Sequence, residues 1–388
     1  MLNSFSGRRV GRGLVSLTTL SVAVAAAMTS SLAQADEVSG AVYVLSNHAA
    51  GNEVLVYGRH ENGELTFNGS VSTGGTGTIT PPPPNGAAGI DPLASQGALV
   101  YHDGLLLVVN AGSNDISLFR ADDDDLTLLD RVPSGGVRPT GVTLRGGLVY
   151  VQNAGGTPNI SGFVLDASHR HLSPLPNSTV PLPGGTAAGP GEVSFAAHGD
   201  LLVVTEKGTN LIDTFRLDGH GRPTLASSSA STGNTPFGFA VTHSENLIIA
   251  DAGSGAVSSY KLLHDGSLRP IGGAVSLNGQ TASCWLVTTS NGRYAFTGNA
   301  GTQSISALSV APSGAATLVN GVAAATNGAA LDLGLTGDSR FLYVRSAQGA
   351  NASLPGTVSG FKVGHDGSLT AVNSFSNLPA GAQGLAVR

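Results

Sequence analysis

The sequence predicts an all-β fold: a seven-bladed β-propeller of four-stranded blades, its ring closed by the C-terminal segment. Composition is the first observation behind this. Glycine fills 55 of 388 positions while charged residues make up only 11%, which marks a turn-rich chain and not a helix-biased one. The second is a repeated phrase. "NAGSNDISLF" at Asn110 to Phe119 returns as "NAGGTPNISGF" at Asn153, "DAGSGAVSSY" at Asp251, "NAGTQSISAL" at Asn299 and, more divergently, "EKGTNLIDTF" at Glu206. The third is its period. Markers at Gly97, Gly141, Glu192, Gly238, Cys284, Asp332 and Gly384 stand 44, 51, 46, 46, 48 and 52 residues apart, near the roughly 40–50 expected of propeller repeats.

The N-terminus is read as a separate element. Arg8, Arg9 and Arg12 precede an apolar run from Leu14 to Met28, and Ala33-Gln34-Ala35 offers small residues for cleavage. Residues 1–35 therefore read as a secretory signal peptide and 36–388 as one propeller domain. The run is too short for a membrane span, which needs about 17–25 apolar residues, so no span is expected after signal removal. Arg8-Arg9 lacks the residues that usually follow in a twin-arginine signal. A secreted or periplasmic location follows, and the single Cys284 excludes an intrachain disulfide there.

Each repeat then resolves into strands. An apolar run (Gly97 to Tyr101, Gly141 to Leu144, Val193 to Phe195, Gly238 to Val241, Cys284 to Val287, Leu331 to Leu335) is followed by a polar turn and a second run such as Leu105 to Val109. The "NAG" phrase, an "ISLF"-like strand and a Leu-containing strand (Leu65 to Phe67, Leu268 to Ile271, Leu369 to Val372) complete the unit. The second runs are apolar at consecutive positions, as expected of strands covered on both faces. The domain opens at Ala41 to Leu45 on a second strand, without a first. "QGLAV" at Gln383 repeats "QGALV" at Gln96, so the C-terminus supplies the inner strand of the first blade and leaves no open edge. Between the first two blades, residues 74–92 with Pro81 to Pro84 read as a Gly/Pro-rich surface loop.

"GAVYVLSNHAAGNEVLVY", "NAGSNDISLF", "RVPSGGVRPTGV", "VVTEKGTNLIDTF" and "GNTPFGFAV" resemble the seven-bladed lactonase-type propellers, a family that includes 3-carboxymuconate lactonising enzymes and 6-phosphogluconolactonases. The likeness runs from about Ala41 to Val387. It implies the propeller fold and an activity on a small lactone or carboxylate. By this resemblance Glu206 in "EKGTNLI" matches a Glu of the muconate-type enzymes, while their His and Arg at inner-strand starts would fall near Thr140 and Gly191 and a further Arg near Asp251 or Ala252.

Topology places the candidates. Antiparallel neighbours bring the starts of first strands and the ends of second strands to one face of the ring. Asn, Ala and Gly make compact turns there. The departures from Asn are the candidates for chemistry: Glu206 with Lys207, Asp251, and Arg345 with Ser346. Opening a lactone needs a proton-transfer group and a partner for the carboxylate or oxyanion. Glu206 is assigned as acid/base, with Lys207 and Arg138 beside it as catalytic cations. His48, Gln96, Asn110, Asn153, Asp251, Asn299, Arg345 and Gln383 are assigned to substrate binding. No organic cofactor or metal is expected: Asp122 to Asp125 lacks spaced oxygen ligands, and His169 and His171 lack ligand spacing. His102, His198, His243, His264 and His365 fall in surface turns, and Cys284 reads as a packed thiol beside Trp285.

A net charge of −6 with no Lys/Arg cluster argues against nucleic acid as a partner, and a monomer is expected. Two readings of function stand. One is an exported lactonase-like hydrolase or cycloisomerase working through the central shaft. The other is a non-catalytic propeller that binds a ligand or protein on the same face.

Overall fold

The computed structural model describes Gly7 and residues 38–78, 91–122, 125–196, 198–348 and 355–388. The signal segment, Pro81 to Pro84, Asp123 and Asp124 lie outside the described residues. Chain contacts separate Asp36–Arg388 from Met1–Ala35, and the larger unit forms the propeller.

Seven antiparallel sheets follow one another along the chain. Their inner strands are Gln383–Val387, Leu99–His102, Val137–Arg145, Pro190–Phe195, Pro236–Val241, Ser283–Thr288 and Ala329–Leu335, from the first blade to the seventh. Closure is as expected. Gln383–Val387 pairs with Val38–Leu45, setting Val387 opposite Val42 and Gln383 opposite Leu45. The first blade thus joins the two ends of the domain and removes an open sheet edge.

Burial explains the sequence texture. Every residue of Leu105–Asn110, Leu201–Glu206 and Asn246–Asp251 is buried, because neighbouring blades cover both faces of each second strand. Outer strands such as Ala316–Ala325 are half-buried to exposed along their length. The core therefore lies between blades. Tyr57, Phe341, Tyr343 and Leu385 pack between the seventh and first blades, and Phe237, Trp285, Phe296 and Leu333 lie between the fifth, sixth and seventh. Outer turns lock onto preceding blades: Tyr343 donates its hydroxyl to Gly63 O at 2.7 Å. A Cβ on Gly63, at φ +88, would sit 2.3 Å from Phe341.

Three details differ from the sequence reading. The outer strand of the third blade is split into Leu172–Pro174 and Val180–Pro181, both pairing with Asn159–Leu165. Pro174, Pro176 and Pro181 lack the N–H a continuous ladder needs. The fifth blade is split likewise, into Leu268–Pro270 and Val275–Ser276. In the sixth blade, Ser283 pairs with Asn299 and Trp285 with Gly298. This register makes Trp285, not Cys284, the counterpart of Gly238, since Pro236 pairs with Asp251.

Among the described residues the only helical turn is the 3-10 segment Gly185–Ala187, and no helix is long and apolar enough to cross a membrane.

Candidate functional site

Strand alternation divides the predicted site residues into two groups. Side chains at the "NAG" position point between the blades. Asn110 donates to Asp115 Oδ1 at 2.6 Å and Ser117 Oγ at 2.8 Å, and accepts from Thr73 Oγ1 at 2.7 Å and Asn52 Nδ2 at 2.9 Å. Asn299 donates to Ser304 and Ser306 and accepts from Ser283 Oγ at 2.6 Å. Asn153 donates to Ser134 O at 3.2 Å and Asn159 Oδ1 at 3.0 Å. Asp251 accepts from Ser258 and Ser231. Burial raises the Asp251 carboxyl to about 7, against the pull of those two hydroxyls. The repeated Asn thus ties its hairpin to the segment arriving from the preceding outer strand, a structural use in a buried polar layer.

Glu206 belongs to this layer as well. It is fully buried, accepts Gly184 N at 3.0 Å and bonds Thr209 Oγ1. Asp213 on the next strand is raised by burial first and by the Glu206 carboxyl second. The two acids face each other, and the structure seats Glu206 with Asp213 and not with the shaft cations. His48 is half-buried beside the first blade, its carbonyl accepting Gly77 N at 2.7 Å.

Residues one step out of that register point the other way. Ser346 pairs with Ala330 and takes the Asn position of the seventh blade, so Arg345, one residue earlier, faces the shaft side. Lys207, one residue after Glu206, does the same. These two, with Arg138, Gln96 and Gln383, meet around the segment Asp91 to Gln96, which begins in the last two residues of the predicted loop.

That segment crosses the mouth of the shaft and is held from many blades. Leu93 N donates to Gln383 Oε1 at 2.6 Å, and Ser95 Oγ to Thr140 O at 2.6 Å. Gln96 N donates to Gly191 O at 2.9 Å, and Trp285 Nε1 to Ser95 O at 3.2 Å. Arg138, at φ +56, donates to Pro92 O at 2.6 Å. Lys207 Nζ bonds Ala94 O, reaches Pro190 O at 2.7 Å and stands 4.7 Å from the Phe237 ring centre.

Asp91 opens this strap. Its Oδ1 accepts Ala94 N at 2.8 Å and bonds Gln383 Nε2. Desolvation raises its carboxyl, opposed by those hydrogen bonds and by the charges of Lys207 and Arg345. Lys207 is lowered to about 8, chiefly by burial, with Asp91 pulling the other way. Arg345 is 1% exposed. Burial draws it down to about 10 against the charges of Asp91 and Asp332. Its Nε and Nη1 have no hydrogen-bond partner among the described residues. Cys284, near Asp91 and Lys207, is raised by burial and is a packed thiol.

Below the strap the shaft holds a cavity of about 210 Å³ lined by Gln96, Glu192 and Asp332. Both acids stand where three blades have Gly141, Gly238 and Gly384 and the second has Ala98. Glu192 accepts Phe239 N at 2.6 Å, and Asp332 accepts Leu333 N and Leu385 N at 2.9 and 3.0 Å. Burial raises both, Asp332 to about 7. The glycine register was the signal for these two. Asp91 had none, because it lies in a linker whose path only the fold decides. Among the described residues no group of three metal-binding side chains converges, and Asp122 pairs with Arg120 at 2.6 Å.

Known proteins agree with this architecture. The model of the family described as "Lactonase, 7-bladed beta-propeller" matches residues 175–271, in keeping with the resemblance to lactonase-type propellers. The periplasmic gluconolactonase PpgL of Pseudomonas aeruginosa superposes with a TM-score of 0.70 at 15% identity, covering 90% of this chain and 98% of that one. A Bacteroides fragilis protein assigned as a 6-phosphogluconolactonase gives 0.68 at 16%, covering 90% and 98%. A Lactobacillus plantarum protein gives 0.69 at 15%, covering 90% and 99%. At these identities the likeness establishes the fold. No curated protein sequence matches the chain.

Proposed function

We propose that the protein is an exported lactonase-type hydrolase that opens a small lactone at the mouth of the shaft, beside the Asp91 strap. The observation that carries this is Arg345, a buried guanidinium with Nε and Nη1 unpartnered, next to a carboxyl raised by desolvation. A buried cation with two unpartnered donors is costly, and a developing oxyanion or a product carboxylate would satisfy them. In this reading Arg345 holds the carbonyl oxygen as charge gathers there. Asp91, its carboxyl raised by desolvation, takes a proton from the attacking water. The ring C–O bond breaks and the leaving alkoxide takes a proton from Lys207, whose lowered value suits the task. Gln383 and the Ala94 amide fix the Asp91 carboxyl.

Export rests on the N-terminal pattern and accords with the periplasmic location that the Pseudomonas protein's name gives it. The expected mature N-terminus is Asp36, which N-terminal sequencing of the exported protein tests.

The lactone reading is tested by single-turnover hydrolysis of a panel of five- and six-membered lactones. Asp91→Asn and Arg345→Gln are expected to lose about a hundredfold or more of turnover, the scale of a lost acid/base or oxyanion partner. Glu206→Gln is expected to keep turnover per folded molecule. Absence of turnover on every lactone, with saturable binding of the corresponding hydroxy acids, would favour the non-catalytic reading. One observation supports that second reading: Lys207 and Arg138 already donate to Ala94, Pro190 and Pro92 carbonyls.

A further inference from the structure

A cavity of about 460 Å³ opens at the opposite end of the ring, where first strands turn into second strands in the fifth and sixth blades. It lies in the size range of small-molecule sites. Two departures from the repeat meet there. Each keeps the fold while changing what the cavity presents.

The first is Asn246. Second strands of the second to seventh blades begin with Leu105, Leu148, Leu201, Asn246, Tyr294 and Phe341, so one buried apolar position has become an amide. Asn246 is 3% exposed. Its Nδ2 reaches Pro312 O only at 3.4 Å, and its Oδ1 has no partner among the described residues. Gly314, at φ +89, leaves room for it: a Cβ there would lie 2.6 Å from Asn246 Cγ. A buried acceptor without a donor costs stability that leucine would not.

The second is Arg293. Its counterpart in the seventh blade is Arg340, which pairs with Asp338 at 3.8 Å and donates to Glu61 O at 3.3 Å. In the sixth blade Asn291 stands at the Asp338 position. It accepts Thr289 Oγ1 at 2.8 Å and Arg293 N at 3.0 Å, just as Asp338 accepts Thr336 Oγ1 at 2.6 Å and Arg340 N at 3.0 Å. The turn is preserved and its negative charge is gone. The Arg293 guanidinium makes no hydrogen bond or ion pair among the described residues.

Among the described residues no carboxylate lines this cavity. The hydroxyl-bearing residues Thr242, Ser244, Ser309 and Thr317 do, with His243. We propose that the cavity is a second ligand site, independent of the shaft, for a small polyhydroxylated carboxylate. Arg293 receives its carboxylate and Asn246, with the surrounding hydroxyls, its hydroxyl groups. A free cation selects an anion, and amide and hydroxyl groups without acids discriminate a sugar acid from a cationic or apolar ligand.

The test is calorimetric titration of the purified chain with D-gluconate, in wild type and in an Arg345→Gln background that disables the shaft site. Saturable binding is expected in both. It should weaken at least tenfold in Arg293→Gln and in Asn246→Leu, while Asn246→Leu melts at the same temperature or higher because leucine is the residue of other blades. Should Asn246→Leu misfold, Arg293→Gln decides alone. No gluconate binding in the Arg345→Gln background, binding unaltered by Arg293→Gln, or glucose or inorganic phosphate binding as tightly as gluconate would each overturn the assignment. None of these outcomes depends on lactone turnover.

Discussion

Gln96 reaches across the shaft from the second blade and acts as a strand partner for Leu286 in the sixth: its Nε2 donates to Leu286 O at 2.9 Å, and its Oε1 accepts Leu286 N at 2.9 Å. One side chain replaces a ladder the ring geometry does not otherwise supply there. The space is tight, since a Cβ on Gly238 would sit 2.1 Å from Gln96 Oε1.

Gln96→Ala is therefore expected to leave a buried amide and carbonyl unpaired and to destabilise the domain by about 2–4 kcal/mol, from the usual cost of each orphaned group. Urea unfolding followed by fluorescence of Trp285, whose indole bonds the same strap, measures this. A loss below about 0.5 kcal/mol, the level of an ordinary surface change, would mean that the strut is dispensable.

Arg345→Met should have the opposite sign. A buried cation with two unpartnered donors pays a desolvation cost that an apolar chain filling the same space does not. The expected outcome is an unchanged or raised melting temperature with lost turnover. A sharp fall in melting temperature would identify Arg345 as a structural partner of Asp91 and Asp332 and remove the main support for the site.

The buried carboxyls make stability depend on pH in a defined direction. Asp251 and Asp332 are raised to about 7, above the value of about 3.9 for an unfolded aspartate. The folded state holds protons that the unfolded state has released. Their contribution is complete below about pH 4 and is lost as pH rises through 7. Stability, and with it the melting temperature, should thus fall between pH 5 and pH 8, by roughly a few kcal/mol, and Asp332→Asn should flatten the slope. A melting temperature rising over that window would contradict the protonated state assigned to these acids.

Ring closure gives a fourth expectation. Deleting Gln383–Arg388 removes the inner strand from Val38–Leu45, together with Gln383, which holds Asp91 and Leu93. It should lower the melting midpoint by well over about 10 °C or abolish the cooperative transition, several kcal/mol at about 2–4 °C each. A cooperative melt within a degree or two of the full chain would refute closure by this strand.

Much of the fold could be read from the residues alone. Consecutive apolar runs, Gly-rich turns and a repeat of roughly 40–50 residues are local properties, and blades are local units, so their number, order and closure by "QGLAV" followed from one dimension. The Asn series also announced itself, though as turn chemistry. Its side chains are spent on Asp115, Ser117, Ser304 and Ser306 inside the blade layers.

The candidate site was only half legible, for reasons of strand geometry. Arg345 and Lys207 could be named as candidates because departures from a repeat are visible in sequence, and Arg138, Gln96 and Gln383 because they stand at inner-strand starts. Which way each points was not. Glu206 and Lys207 are adjacent, yet alternation sends one between the blades and the other toward the shaft, and a single residue of register decided the same for Arg345 and Ser346. Asp91 required the tertiary structure outright. It sits in a linker with no periodicity, and its neighbours Gln383, Lys207 and Arg345 come from three blades far apart in the chain. The order of residues was enough to specify the blades, since each is built from contacts between neighbours. Only the closed ring specified the site, because a shaft exists only where the inner edges of all blades meet.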